Sequence, residues 1–157
     1  MIYLGADHGG YELKEEIKRH LKNEGIDFED LGTYSKKSVD YPDYAFAVAD
    51  RVANGDPSDF GVLVCTTATG TCIAANKVRG IRGAVGYSEE VIQRARNDTD
   101  ANVLCLGGGA MEHSEAIKGV DIFIRTPFSY AERHVRRINK IKAREELELG
   151  EAKKGAA

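Results

Sequence analysis

Phe60-Gly61-Val62-Leu63-Val64-Cys65-Thr66-Thr67-Ala68-Thr69-Gly70 decides the fold. From Phe60 to Cys65 the run is unbroken and apolar, the pattern of a strand covered on both faces, and such strands belong to parallel sheets sandwiched between helices. Small residues from Thr66 to Gly70 end the strand in a turn, and a helical pattern resumes over Thr71 to Val78 with Cys72, Ile73, Ala74 and Ala75.

Working outward, Ile2 to Ala6 is a second apolar run, closed by Asp7-His8-Gly9-Gly10, and reads as a buried strand and turn. Leu13, Ile17 and Leu21 recur every four residues, so residues 10–24 form an amphipathic helix capped near Gly25. Ile26 to Leu31 reads as a strand and Gly32 to Pro42 as a loop. Tyr44, Ala45, Val48, Ala49 and Val52 mark a helix stopped by Asn54-Gly55-Asp56-Pro57. Downstream lie a strand at Gly83 to Gly86, a helix at Glu89 to Arg96 and a strand at Asn102 to Leu106, followed by Gly107-Gly108-Gly109. Ala116, Ile117, Val120 and Ile122 give a further helix. Phe128 to Leu149 is a long charged helix striped by Tyr130, Val135, Ile138 and Ile141.

Strands alternating with helices at this spacing predict an α/β fold, a three-layer α/β/α sandwich on a five-stranded parallel sheet of order 2-1-3-4-5, with a long C-terminal helix. One domain spans residues 1–149, and residues 150–157 form a flexible tail. The last helix exceeds what five strands need for cover, so its free face is expected to pack on another subunit.

Composition narrows the function. The 157 residues are 42% hydrophobic and 30% charged, the balance of one ordinary domain, and the net charge of −3 gives no global attraction to nucleic acid. Cys65, Cys72 and Cys105 are an odd count inside apolar runs, which points to a reducing compartment and not to a disulfide framework. An acid at position 7 interrupts any signal-like core, and no apolar stretch reaches membrane-spanning length, so a cytoplasmic protein without membrane contact is expected.

In open parallel sheets ligands bind beyond the carboxyl ends of the strands. That rule selects Asp7 and His8, Cys65 to Gly70, Tyr87 and the triple glycine. The small residues at 66–70 let backbone N–H groups turn toward an anion, although a Thr-rich turn that caps a helix has the same appearance. No Gly-Lys-Ser/Thr follows that loop and no G-x-G-x-x-G follows the first strand, so nucleotide binding has little support. Cys65 suits either a base at the strand tip or a small apolar filler; Cys72 and Cys105 suit the filler role better. The spacing of Cys65 and Cys72, without a histidine pair, does not make a zinc site. Arg133 and Arg137 stand four apart and project from one helix face, as a phosphate clamp or as part of a charged surface. His20 is expected to be solvated on its charged helix and His113 to be an exposed helix start.

In combination and order, several of these segments resemble the type B ribose-5-phosphate isomerase family, which includes galactose-6-phosphate isomerase subunits. They are Gly5-Ala6-Asp7-His8-Gly9-Gly10, Leu31-Gly32-Thr33, Ser38-Val39-Asp40-Tyr41-Pro42-Asp43-Tyr44-Ala45 and Cys65 with Ile73-Ala74-Ala75-Asn76-Lys77. Gly80-Ile81-Arg82, Asn102-Val103-Leu104 and Arg133-His134 with Arg137 complete the set, so the likeness spans nearly the whole chain. It implies a Rossmann-like sandwich, a homodimer (or a tetramer) with sites shared between subunits, and metal-free, cofactor-free aldose–ketose isomerisation of a sugar phosphate. By that resemblance Cys65 moves the proton, with Thr67 and the amides around Gly70 holding the oxyanion. Asp98 aligns with the ring-opening position of the family. Asp7, His8, Tyr41, Thr66, Ala68, Thr69, Gly70, Thr71, Asn97 and Thr99 contact the sugar, and His8, Arg133 and Arg137 hold the phosphate.

Three positions depart from the family. Thr66-Thr67-Ala68 replaces its Gly-Thr-Gly, Asp98 stands where it has a histidine, and Gly109 stands where it has an arginine of the phosphate site. They motivate an altered sugar preference or, as a second reading, a catalytically silent sugar-phosphate-binding subunit that regulates or completes an oligomer.

Overall fold

In the computed structural model, which describes residues 1–156, apolar runs become strands and amphipathic stretches become helices. In chain order the elements are β1 (Ile2–Ala6), α1 (Tyr11–Asn23), β2 (Phe28–Asp30), α2 (Tyr41–Ala53), β3 (Phe60–Cys65) and α3 (Thr69–Ala75). β4 (Gly83–Val85), α4 (Glu89–Thr99), β5 (Val103–Gly107), α5 (His113–Arg125) and α6 (Glu132–Gly155) follow. The strands make one all-parallel sheet.

Side chains alternate across β3 and β5, so the central strands feed two cores. Val62, Val64, Leu104 and Leu106 meet Leu13, Ile17 and Leu21 of α1, Ile92 of α4 and Phe123 of α5. Leu63, Val103 and Cys105 meet Ala45, Val48 and Ala49 of α2 with Cys72 and Ala75 of α3. Helices α1, α4 and α5 therefore cover one face, and α2 and α3 the other. Steps across the sheet in one direction use one face and steps back use the other, as right-handed crossovers require.

The observed strand order is β2-β1-β3-β5-β4, which corrects the expected 2-1-3-4-5. β4 and β5 have exchanged places. β5 is buried along its whole length, whereas β4 has three residues, all partly exposed. Burial on both faces belongs to an inner position, and a short strand tolerates the edge. Sequence order favoured the wrong neighbour; apolar content decided the right one.

Helix α6 starts at Glu132, later than expected, and runs through Gly155, past the expected end at Leu149. Ala157, the last residue of the expected tail, lies outside the described residues. At the start of α6 the amide of Ser129 donates to the carbonyl of Asn97 at the end of α4, and Glu145 accepts from the amide of Gly80 just before β4. Both are points where the chain is about to enter the sheet, so α6 crosses the edge at which the strands begin. Ile138 and His134 are its buried residues, while Ile141 is exposed and Tyr130 precedes the helix. Among the described residues no helix is long and apolar enough to cross a membrane.

A buried ion pair fixes the β2 end of the sheet. Lys14 is fully buried, its Nζ lies 2.7 Å from both Asp30 oxygens, and Asp30 also accepts the Gly32 amide at 2.9 Å. Burial pushes the Asp30 carboxyl up, but Lys14, Lys18 and the Gly32 amide outweigh it and hold the group below its ordinary value of 3.8. Replacing Asp30 by Ala is expected to destabilise the fold by about 3 kcal/mol in urea titration, because it leaves the buried Lys14 charge with Glu15, at 3.2 Å, as its remaining anionic partner. Lys14→Met combined with Asp30→Leu is expected to recover most of that loss. In the native protein this contribution is present above the ordinary carboxylate range and is lost as pH falls through the lowered Asp30 value.

Candidate functional site

The crevice between the ends of β1 and β3 depends on glycines with no room for a side chain. A Cβ on Gly10 would stand 2.1 Å from the Val64 carbonyl oxygen, and one on Gly9 would stand 2.1 Å from Thr66 Oγ1. With hydrogen there, the turn after β1 presses directly on the loop after β3. Asp7, buried beneath, accepts the amides of Gly9 at 2.9 Å and Gly10 at 3.2 Å through Oδ1, which makes the turn rigid. His8 is exposed, and its Nδ1 accepts the Val39 amide at 3.2 Å. The neutral ring therefore carries its proton on Nε2.

Tyr41 opens α2 and lays its ring on the third segment: a Cβ at Gly70 would lie 2.8 Å from its Cζ. Cys65 closes β3 just under this surface, 5% exposed, with its Sγ 3.4 Å from the Thr71 hydroxyl. That hydroxyl also donates to the Ala68 carbonyl at 3.2 Å. Burial alone does not separate Cys65 from Cys72 and Cys105, which are buried as well. Position does, since Cys65 alone stands at the strand tip beside the loop. Cys72 and Cys105 pack inside the α2–α3 core, as expected of fillers; Cys72 and burial push the Cys105 thiol well above its ordinary value.

Ala68 takes a left-handed conformation, φ 69°, and turns the chain into α3. Among the described residues the amides of Thr67, Ala68, Thr69, Gly70 and Thr71 donate to no backbone oxygen, so the loop has free N–H groups beside the sulfur. Thr66 and Thr67 are exposed, but the Thr66 side chain fits between Gly9 and Gly109, and a Cβ at Gly109 would lie 2.9 Å from its Cγ2. Thr66 thus occupies space that a side chain at 109 would need.

The exchange of β4 and β5 makes the triple glycine a direct neighbour of Cys65. The register pairs Cys65 with Gly107, Gly108 donates to the Cys65 carbonyl at 2.8 Å and Gly109 to that of Thr66 at 2.9 Å. Tyr87, also selected from the sequence, lies one strand farther out and is 71% exposed.

A second group stays apart. Asn97, Asp98 and Thr99 end α4, and Arg133 and Arg137 lie in the first turns of α6. Asp98 Oδ1 accepts from Asn97 Nδ2 at 2.7 Å and lies 3.7 Å from Nε2 of buried His134, whose Nδ1 is 2.7 Å from the Ser129 hydroxyl. Thr99 spends its hydroxyl on the Ala95 carbonyl. Because α4 returns to the edge where strands begin, roughly 15 Å of strand separates this group from Cys65, at about 3.3 Å per residue. One chain does not bring Cys65, Asp7 and Tyr41 to Asp98, Arg133 and Arg137.

Two histidines differ from expectation. His20 is not simply solvated, since Nε2 lies 2.8 Å from Asp121 across the α1–α5 contact. His113 begins α5 as expected, yet both ring nitrogens are engaged, Nδ1 with Glu16 at 2.8 Å and Nε2 with the Gly108 carbonyl at 2.9 Å. No local pattern flags either pairing, because each partner lies on another element or loop. The burial of His134 against Asp98 is unmarked in the sequence for the same reason.

Residues 2–141 match the family model described as Ribose/Galactose Isomerase. The chain is 45% identical over 141 residues to a protein of Mycoplasma genitalium named probable ribose-5-phosphate isomerase B, covering 89% of this chain and 92% of that protein. Ribose-5-phosphate isomerase B of Mycobacterium tuberculosis is 41% identical over 139 residues, covering 88% and 85%. Among solved structures, that of the Clostridium thermocellum ribose-5-phosphate isomerase B superposes with a TM-score of 0.89 at 41% identity, covering 92% of this chain and 97% of the other. The Mycoplasma genitalium enzyme with bound ribulose-5-phosphate superposes with a TM-score of 0.88 at 44% identity, covering 92% and 95%.

With all three thiols buried, the native protein is expected to react only slowly with a thiol-specific disulfide reagent, and to release three equivalents on unfolding. A fast equivalent assigned to Cys65 would show instead that the 66–70 loop opens in solution.

Proposed function

Because this chain belongs to the ribose/galactose isomerase family, we propose that it interconverts an aldose phosphate and its ketose through an enediolate, with ribose 5-phosphate and ribulose 5-phosphate as the first pair to test. The observation that carries this reading is the convergence of Cys65, Asp7, Tyr41 and a run of free amides on one crevice, in a chain of this family.

The open-chain aldehyde lies with C1 and C2 over Cys65. The sulfur takes the proton from C2, the C–H electron pair becomes the C1–C2 double bond, and the carbonyl electrons move onto O1. Thr67 and the amides around Gly70 face that developing charge; fixed donors of this kind supply several kcal/mol, since they need no reorganisation when charge appears. A proton passes from O2 to O1, the C2 carbonyl forms, and the sulfur returns its proton to C1. Atoms and electrons balance without any further reagent. Asp7 and the outward Nε2–H of His8 hold sugar hydroxyls, Tyr41 closes one wall, and Thr66 and Thr69 complete the floor, with the buried Ala68 and Thr71 supporting it from beneath.

The phosphate needs cations that the Cys65 crevice lacks. Arg133 and Arg137, four residues apart on one helix, supply a fork of fixed positive charge, with Asn97, Asp98 and Thr99 beside them. Their separation from Cys65 within one chain supports a cytoplasmic homodimer in which each site takes Cys65 from one subunit and the arginine pair from its partner. Asp98, held by Asn97 and facing His134, then serves as the acid–base group for opening the sugar ring.

The test uses purified protein with ribose 5-phosphate. Cys65→Ala is expected to lower kcat by about two to four orders of magnitude, the range for loss of a proton-transfer group. Arg137→Ala is expected chiefly to raise KM. If sites are shared, mixing and re-annealing these two variants, assayed at substrate far below the raised KM where each alone is nearly silent, is expected to restore about a quarter of wild-type activity, because half the dimers are hybrids and each hybrid has one intact site. No recovery would mean that each subunit works alone, and no turnover by the native protein would favour a binding subunit.

A further inference from the structure

We propose that His113 is a positioning residue for the catalytic loop, acting as a doubly donating imidazolium that clamps the turn after β5 against Cys65 and Thr66. Both of its partners are acceptors only. Nδ1 faces a Glu16 carboxylate oxygen at 2.8 Å and Nε2 faces the Gly108 carbonyl at 2.9 Å. A neutral ring carries one N–H and can satisfy one of them; the protonated ring satisfies both.

The clamp reaches the site by a short path. The Gly108 carbonyl accepts from His113, the Gly109 amide in the same peptide group donates to the Thr66 carbonyl at 2.9 Å, and the Gly108 amide donates to the Cys65 carbonyl at 2.8 Å. The turn has no side chains to fix it. A Cβ at Gly108 would lie 3.0 Å from the Gly9 carbonyl oxygen, and one at Gly107 would lie 3.1 Å from the Thr67 carbonyl carbon, so a bulkier residue would press on the crevice loops where the turn meets them. A turn of three glycines has large conformational freedom to lose. His113 is the side chain that holds its carbonyl.

The charges around the ring favour protonation. From α1 come Glu16 and Glu12, the latter ion-paired with Lys36 of the 32–40 loop; from α5 itself come Glu112 and Glu115, both exposed; the β5–α5 turn contributes only its carbonyl. The positive end of α5 opposes the charge, but it acts less directly than two contacts under 3 Å. The bonds to Glu16 and Gly108 hold the imidazole above its ordinary 6.5, against a smaller opposing effect of burial. A group raised in this way contributes fully below 6.5 and loses its contribution as pH rises through the raised value.

Amide hydrogen exchange tests the clamp without reference to turnover, and the pH profile of kcat/KM tests its effect on the proposed isomerisation, on which that second arm rests. In the native protein the protection of Gly108 and Gly109, corrected for intrinsic rates, is expected to fall about tenfold as pH rises through the His113 titration, the scale of one charged hydrogen bond. His113→Arg, permanently charged and able to donate to both partners, is expected to keep the protection across that range. His113→Gln, with no charge, is expected to show the low value throughout. The alkaline limb of kcat/KM is expected to follow the same pattern, present in the native enzyme and flattened in both variants. Equal protection in the native protein and His113→Gln at every pH would overturn the proposal. Protection that behaves as stated in a protein without isomerase activity would sustain the clamp and remove the activity.

Discussion

Parallel strands all end on the same edge of their sheet, and the rest of the molecule follows from that constraint. β1, β3 and β5 deliver Asp7, Cys65 and the triple glycine to one edge, and each crossover helix returns the chain to the other. The end of α4 and the start of α6 must then lie on the far edge, with Asp98, Arg133 and Arg137. A single chain thus carries a sulfur and a field of amides at one end and a pair of guanidiniums at the other. Sugar-phosphate chemistry needs both within one small molecule, so the proposed site is completed by a second copy.

At the Cys65 end, the crevice is shaped by backbone approach and not by side-chain reach. Gly9 and Gly10 let the first turn touch the third strand, and Gly70 admits the Tyr41 ring. Thr66 fills the gap between Gly9 and Gly109, so the loop stays packed against both turns. The cost falls on charge: with glycine at 109, the turn after β5 contributes no cation, and in the proposed site the phosphate is left to Arg133 and Arg137. The same glycines leave the turn without anchors of its own, which explains why a histidine from the start of α5 holds it.

Much of the fold was legible in the sequence because burial on two faces writes itself as continuous apolar residues. β3 was placed residue for residue from Phe60 to Cys65, and α1 to within one residue at each end from Leu13, Ile17 and Leu21. Chain succession puts β4 beside β3, and only the contrast between Val103-Leu104-Cys105-Leu106 and the short Gly83-Ala84-Val85 indicates that β5 takes that inner place. The site was legible in part for the same reason: residues after strands can be named from the rule that governs such sheets. What the sequence hides is pairing at a distance. His113 with Glu16 and Gly108, His134 with Asp98, and His20 with Asp121 depend on which helices come together, and no local pattern records that.

The most direct measurement is proton NMR of ribose 5-phosphate in heavy water with the native protein and with Cys65→Ala, at concentrations where both bind it. Exchange of the C2 hydrogen for deuterium by the native protein, with none above background in the variant, is the outcome that a proton-carrying sulfur at the tip of β3 requires. Equal exchange by the two proteins would contradict it and would assign the proton transfer to another group.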